Sequence, residues 1–179
     1  PERLAPLLDF MEIHFYPLAR GFYDYSSPED EMRNLAYLEC VTREVARFGK
    51  PAMIAEFGWY GGGKPTINEG KYPFASEQQQ ARWYRQLVDS TAGLASGWLN
   101  WGFHDHPGAR DVTEWIGLLT ADGRVKEWGK EFRSLAGRWR EHGLPASRFR
   151  PRPAMDWDLL ITDRKAMADY RDRYKSEER

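Results

Sequence analysis

Apolar residues run from Leu7 to Tyr16 almost without a break and stop at Pro17. A run this short, closed by proline, predicts a buried strand with Phe10, Glu12, His14 and Tyr16 on one face and Met11, Ile13 and Phe15 on the other. Residues 18–27, with Gly21 and the pair Ser26 and Ser27, read as a loop. From Pro28 to Phe48 the period changes. Met32, Leu35, Leu38, Val41, Val45 and Phe48 recur at spacings of three and four, the single stripe of an amphipathic helix. Ser27 is its expected cap, Pro28 suits its first turn, Glu29, Asp30 and Glu31 oppose the positive dipole end, and Gly49 ends it.

The alternation repeats twice more. Pro51–Phe57 predicts a second strand, followed by the glycine-rich, aromatic loop from Gly58 to Gly63. Ser76 and Gln79 form a capping box that opens a helix over 77–92, with Trp83, Tyr84, Leu87, Val88 and Thr91 on its buried face. Ser96–Phe103 predicts a third strand, His104–Thr113 a loop and Ile116–Thr120 a short extended piece; Asp122 and Gly123 mark a turn before a helix over Val125–Trp139. Pro145, Pro151 and Pro153 then interrupt the chain, and Thr162–Lys175 reads as a charged helix expected to pack weakly or fray. The order is β-α-β-α-β-α. Strands that are apolar throughout, joined by helices with one apolar stripe, imply an α/β fold with a parallel sheet. A doubly wound open sheet and part of a (β/α)₈ TIM barrel both fit. The expected division is 1–143 for this unit and 144–179 for a proline-interrupted linker and helical tail.

Composition narrows the functional classes. A net charge of -1 with no dominant basic run gives no electrostatic support for binding nucleic acid or an anionic membrane, and no apolar stretch approaches a membrane span. The single cysteine, Cys40, excludes an intrachain disulfide and a cysteine-based metal site. The unusual feature is 8 tryptophans, which mean either a Trp-rich core or a surface on which sugar rings stack.

Ligands of parallel α/β folds bind at the carboxyl ends of the strands. Those ends offer His14 and Tyr16, then Glu56 followed by Trp59 and Tyr60, then Trp101 followed by His104, Asp105 and His106. Glu56 is the sharpest of these. A carboxylate between Ala55 and Phe57 on an apolar strand is costly unless paired or used. The alternative is a structural Glu56 paired with an arginine of a missing or neighbouring strand. His104, Asp105 and His106 are adjacent on one loop and do not by themselves make a metal site, so neither a metal nor another cofactor is expected. Glu12, lower on the same face as His14, is expected in a charge network with neighbouring strands. Gly61–Lys64 lacks the spacing of a phosphate loop.

These residues resemble a known family. Asp9–Pro17, with His14 and Tyr16, is similar to the sixth barrel strand of clan A retaining glycoside hydrolases, in particular the family 5 (cellulase- and mannanase-like) group. Lys50–Gly58, with Glu56, resembles their seventh strand, Gly97–Trp101 their eighth, and Gly117–Lys126 the stretch that follows it. The resemblance covers about residues 7–140. It implies that Glu56 is the nucleophile, that Tyr16 orients it and that His14 contacts the sugar or the second carboxylate. It also implies that Trp101 is a stacking platform, with Trp59, Tyr60, His104 and Asp105 as further substrate-binding residues. A retaining glycosidase needs two carboxyl groups about 5–5.5 Å apart, and the resemblance puts the acid/base glutamate on strand four. A full barrel takes about 250 residues. The chain, which opens at Pro1, is therefore expected to be a fragment of a longer enzyme or to be completed by a partner. Alone it is expected to be inactive and to self-associate through exposed sheet edges. The expected partner is a carbohydrate substrate, and secretion is a common habit of such enzymes. The rival expectation from another class is a non-catalytic carbohydrate-binding barrel.

Overall fold

The computed structural model describes residues 2–17, 25, 27–111, 113–146 and 156–176. The loop expected over 18–27 lies outside the described residues apart from Tyr25 and Ser27, as do Pro151 and Pro153. The elements are β1 (Met11–Phe15), α1 (Pro28–Ala46), β2 (Ala52–Phe57), α2 (Glu77–Thr91), β3 (Gly97–Asn100), α3 (Glu127–His142), α4 (Trp157–Thr162) and α5 (Arg164–Ser176). The strands form one parallel sheet in the order β1-β2-β3.

Sequential order is what separates the two architectures. Right-handed crossovers between successive neighbours leave their helices on the same side of the sheet. Met11, Ile13, Ala52, Ile54, Phe57 and Trp98 point to that side and share one core with Leu35 and Leu38 of α1, Trp83, Tyr84 and Leu87 of α2, and Trp128 and Leu135 of α3. The opposite face is open: Glu12, His14 and Leu99 are exposed. One covered face and one bare, concave-side face are the layout of a barrel segment, in which the bare face is the barrel interior.

Local chemistry explains most of the boundaries. Ser27 Oγ accepts from the Asp30 N–H, and both halves of the Ser76–Gln79 capping box are made. α3 starts two residues later than its periodicity suggests because Val125 is engaged by Leu119, which also bridges to His104. It stops at Gly143, whose φ of 74° suits a residue without Cβ. β3 is shorter than expected because Asn100 Nδ2 donates to the carbonyls of Trp101, Gly102 and Ile116 and turns the chain out of the ladder. The stripe on α1 holds at Leu35, Leu38 and Val45, with Val41 and Phe48 packed against the core, and only its first position departs. Met32 is exposed, and Glu31 is buried in its place, where both its oxygens accept from Arg82 of α2 at 2.8 and 3.0 Å. The tail is also more ordered than its charge suggests. It forms two helices, and Leu160 and Tyr170 are buried against Ala36 and Cys40 on α1, with Tyr170 Oη 2.6 Å from Cys40 Sγ.

The loops at the carboxyl end of the sheet are tied together by one buried cation. Lys126 is fully buried, and its ammonium donates to Asp105 Oδ1 and Oδ2, Gly61 O and Trp115 O at 2.7–3.1 Å. Asp105 also accepts the Gly117 N–H at 2.8 Å. Burial pushes the Asp105 carboxyl above its ordinary range and the Lys126 ammonium below its own, and each partner's charge opposes the other's shift. Removing one member strands the other, at a cost of about 3–5 kcal/mol. In chemical denaturation, Lys126→Met is therefore expected to lose about that much stability. The double variant Lys126→Met with Asp105→Asn should lose clearly less, and equal losses would mean that the pair is not coupled.

Candidate active site

β2 carries one residue more than either neighbour. Ile13 aligns with Ile54 but His14 with Glu56, and Ile54 aligns with Trp98 but Phe57 with Asn100. Ala55 is the extra residue in both ladders, so β2 bulges there. Simple alternation from Ile54 would turn Glu56 toward the helices and Phe57 toward the bare face. The bulge reverses both. Phe57 becomes a fully buried core residue packed edge-on to Tyr84 and Trp128, and Glu56 emerges beside His14 on the interior face.

There Glu56 Oε2 accepts from the Tyr16 hydroxyl at 2.8 Å and lies 3.4 Å from His14 Nδ1. Its side chain is 27% exposed, so it is shielded yet reachable. Among the described residues no arginine pairs with it. His14 Nε2 is in turn 3.7 Å from Glu12 Oε2. Glu12 therefore meets His14, its neighbour two places along on the same face of the strand. Burial first, and then the hydrogen bond to Glu56, push the Tyr16 hydroxyl well above the ordinary phenol range. Tyr16 thus stays protonated and keeps donating. Gly58 sets the position of that ring. A Cβ on Gly58 would lie 3.1 Å from Tyr16 Cε1 and 2.9 Å from Ile116 Cδ1.

Trp101 belongs to the same rim. Its N–H donates to Phe57 O at 3.0 Å, and its side chain is 43% exposed on the parity of Leu99, the bare face. Trp59 and Tyr60 do not. Both are fully buried: Trp59 stacks on Trp83 at 5.0 Å, and Tyr84 Oη binds both the N–H and the carbonyl of Trp59. The reason lies in the loop glycines. A Cβ on Gly61 would sit 2.3 Å from Gln80 Cβ, and one on Gly63 2.3 Å from Trp115 Cε2, so this loop folds down against α2 instead of standing over the sheet. Asp105, also expected at the substrate, points inward to Lys126 and is 3% exposed. His104 is half-buried and faces a separate depression with His106. Four of the eight tryptophans, Trp59, Trp83, Trp98 and Trp128, are thus buried core residues.

Sequence reasoning missed Gly58, Asn100 and Lys126. Asn100 Oδ1 accepts from Trp128 Nε1 at 3.0 Å, which anchors the strand end that carries Trp101. A glycine directly after Glu56 and Phe57 was a usable signal for close approach. Among the described residues no group of three histidine, cysteine, aspartate or glutamate side chains is placed to hold a metal ion, and no helix is long and apolar enough to cross a membrane.

No protein-family model matches the chain, and no curated protein matches it. Solved structures do. The GH5_18 protein of Streptomyces cattleya, in complex with GlcNAc, is 19% identical with a TM-score of 0.57; the match covers 80% of this chain and 33% of that one. The GH5_18 protein of Bifidobacterium longum, in complex with Manβ1-4GlcNAc, is 20% identical with a TM-score of 0.54, covering 91% and 42%. The β-glucuronidase of Faecalibacterium prausnitzii is 24% identical with a TM-score of 0.52, covering 81% and 23%. The chain thus spans well under half the length of the structures it matches. At these identities the likeness establishes the fold: three parallel strands and their helices arranged as a part of the TIM barrel of glycoside hydrolases.

Proposed function

We propose that this chain is part of a retaining O-glycosyl hydrolase acting on a β-linked glycoside or polysaccharide, with Glu56 as the nucleophile. The observation that carries the reading is the bulged placement of Glu56 on the interior face, with one oxygen held by Tyr16 at 2.8 Å and facing His14. The glycosidase barrel fold and the resemblance of the three strand ends support it.

The chemistry follows from that placement. Glu56 attacks the anomeric carbon, the bond to the leaving oxygen breaks, and a glycosyl ester forms. The proton for the leaving oxygen comes from a second carboxyl group, which the resemblance assigns to a strand other than these three. Water then releases the sugar, and that second group takes the water's proton. Tyr16 fixes the attacking carboxylate, His14 contacts the sugar or the second carboxyl group, and Trp101 offers an aromatic face to the ring. Three strands with one such carboxylate do not complete the cycle, so by this reading the chain is inactive unless the rest of the barrel is present. Its bare interior face and unpaired edge strands are then the surfaces against which the remaining strands pack.

The reading predicts a specific pattern in the complete barrel, assayed on β-glucosides, β-mannosides and β-glucuronides. Glu56→Gln should lower kcat/KM at least about a thousandfold, and activity that survives this change removes the nucleophile assignment. Tyr16→Phe deletes one hydrogen bond to a charged group and should lower kcat/KM about tenfold or more. Gly58→Ala should produce a smaller loss than Tyr16→Phe, because its Cβ would push the Tyr16 ring, 3.1 Å away, by only a few tenths of an ångström. Wild-type rates for Gly58→Ala would show that the ring position is unimportant.

A further inference from the structure

The three strands carry two acidic residues, Glu12 and Glu56, and both lie on the open face. Glu56 stands near the rim and Glu12 lower down. Ala52 and Ile54 are buried in the helix-side core, so Met53, which pairs with Glu12 on one side and Gly97 on the other, faces the open side. Leu99 and Phe10 are exposed on that face as well. The surroundings of Glu12 are therefore apolar, and enclosing a carboxylate in them is costly unless it is paired.

Its partner is the His14 ring, which stands between the two acids. Nε2 is 3.7 Å from Glu12 Oε2, and Nδ1 is 3.4 Å from Glu56 Oε2. Among the described residues β3 brings no charge toward the ring, since it consists of Gly97, Trp98, Leu99 and Asn100, and the Tyr16 hydroxyl is committed to Glu56. A neutral imidazole carries one N–H and turns a lone pair toward whatever faces its other nitrogen. Here that lone pair would oppose a carboxylate oxygen on one side or the other. Only a ring with protons on both nitrogens meets both acids favourably, and the contact with Glu12 is then an ion pair, being too long for a hydrogen bond.

The same geometry sorts the two oxygens of Glu56. Tyr16 and His14 both approach Oε2, which leaves Oε1 for attack on the sugar. His14 donates to Oε2 only with a proton on Nδ1. A second carboxylate at the far nitrogen favours the ring that carries both protons. We infer that Glu12 is a positioning residue for the glycosidase reaction: it holds the His14 ring doubly protonated, with Nδ1–H directed at Glu56 Oε2 and Oε1 left free. The inference rests on Glu56 as the nucleophile, and Glu12 acts on it through the imidazole.

The test is the pH dependence of kcat/KM in the complete barrel protein, for the wild type, Glu12→Gln and Glu12→Asp. Rising pH removes the second proton from the ring, and a neighbouring carboxylate opposes that removal. In Glu12→Gln the proton is lost earlier as pH rises, so the alkaline limb of the profile should move to lower pH. On that limb kcat/KM should fall about fivefold below wild type, with the gap closing toward acid pH. Glu12→Asp keeps the charge and should recover most of the loss. A profile unmoved in Glu12→Gln, or lowered equally at every pH, overturns the inference and leaves Glu56 as nucleophile untouched. A second readout requires no hydrolysis and decides the matter if no glycoside is cleaved. In long-range proton–nitrogen NMR spectra, the His14 ring is identified by the signal missing in His14→Gln. It should keep both protons to higher pH in the wild type than in Glu12→Gln, and coincident titrations overturn the inference.

Discussion

Between Ile54 and Phe57 the middle strand has one residue more than the strands on either side, and everything at the site follows from where that residue falls. Ala55 absorbs the mismatch in both ladders at once. Beyond it, Phe57 belongs to the helix-side core and Glu56 to the open face. A bulge of this kind interrupts pairing locally and re-aims the next side chain. Here it lets a strand that is apolar on both faces deliver one carboxylate to the barrel interior without placing a charge against α2 and α3. Because Phe57 is fully buried among Tyr84, Trp128 and Phe132, the bulge cannot relax without pulling an aromatic ring out of the core.

The rim is built on that strand end. Phe57 O receives the Trp101 N–H, and Asn100 beside it gathers three carbonyls and the Trp128 indole. Lys126 then draws Gly61, Asp105 and Trp115 to a single point. The division of labour is physical. Buried polar groups are consumed in fixing loops, where an unmet bond would be costly. Among the described residues, those left accessible on the open face include Glu12, His14, Glu56, Leu99 and Trp101. Tyr16 joins the two sets, with its ring packed against Gly58 and its hydroxyl on Glu56.

Much of this was legible in the sequence. The three strands, the caps at Ser27 and Ser76, the faces of β1 and the grouping of His14, Tyr16, Glu56 and Trp101 at strand ends follow from period and position. The bulge did not, because a residue inserted in the ladder leaves no mark in an apolar stretch such as Ala52–Ala55. The fates of Trp59 and Tyr60 were hidden for a related reason. Whether an aromatic loop stands up or folds down depends on which partners approach its glycines, here Gln80 and Trp115, and these come from distant parts of the chain. Met32 and Glu31 exchanged their expected places because Arg82, 51 residues away, makes burial of the carboxylate favourable. Asp105 read as a rim acid until Lys126, which had no special signal of its own, took both its oxygens.

The central claim is that Glu56 forms a covalent bond to the sugar during the reaction, and trapping tests it most directly. The complete barrel protein would be treated with a 2-deoxy-2-fluoro glycosyl fluoride matched to the β-glycoside it cleaves, then digested and mapped by mass spectrometry. The account predicts one equivalent of label, carried by the peptide that contains Glu56 and attached to that side chain. Label on a different carboxylate, or release of product with inverted anomeric configuration and no label at all, would contradict it.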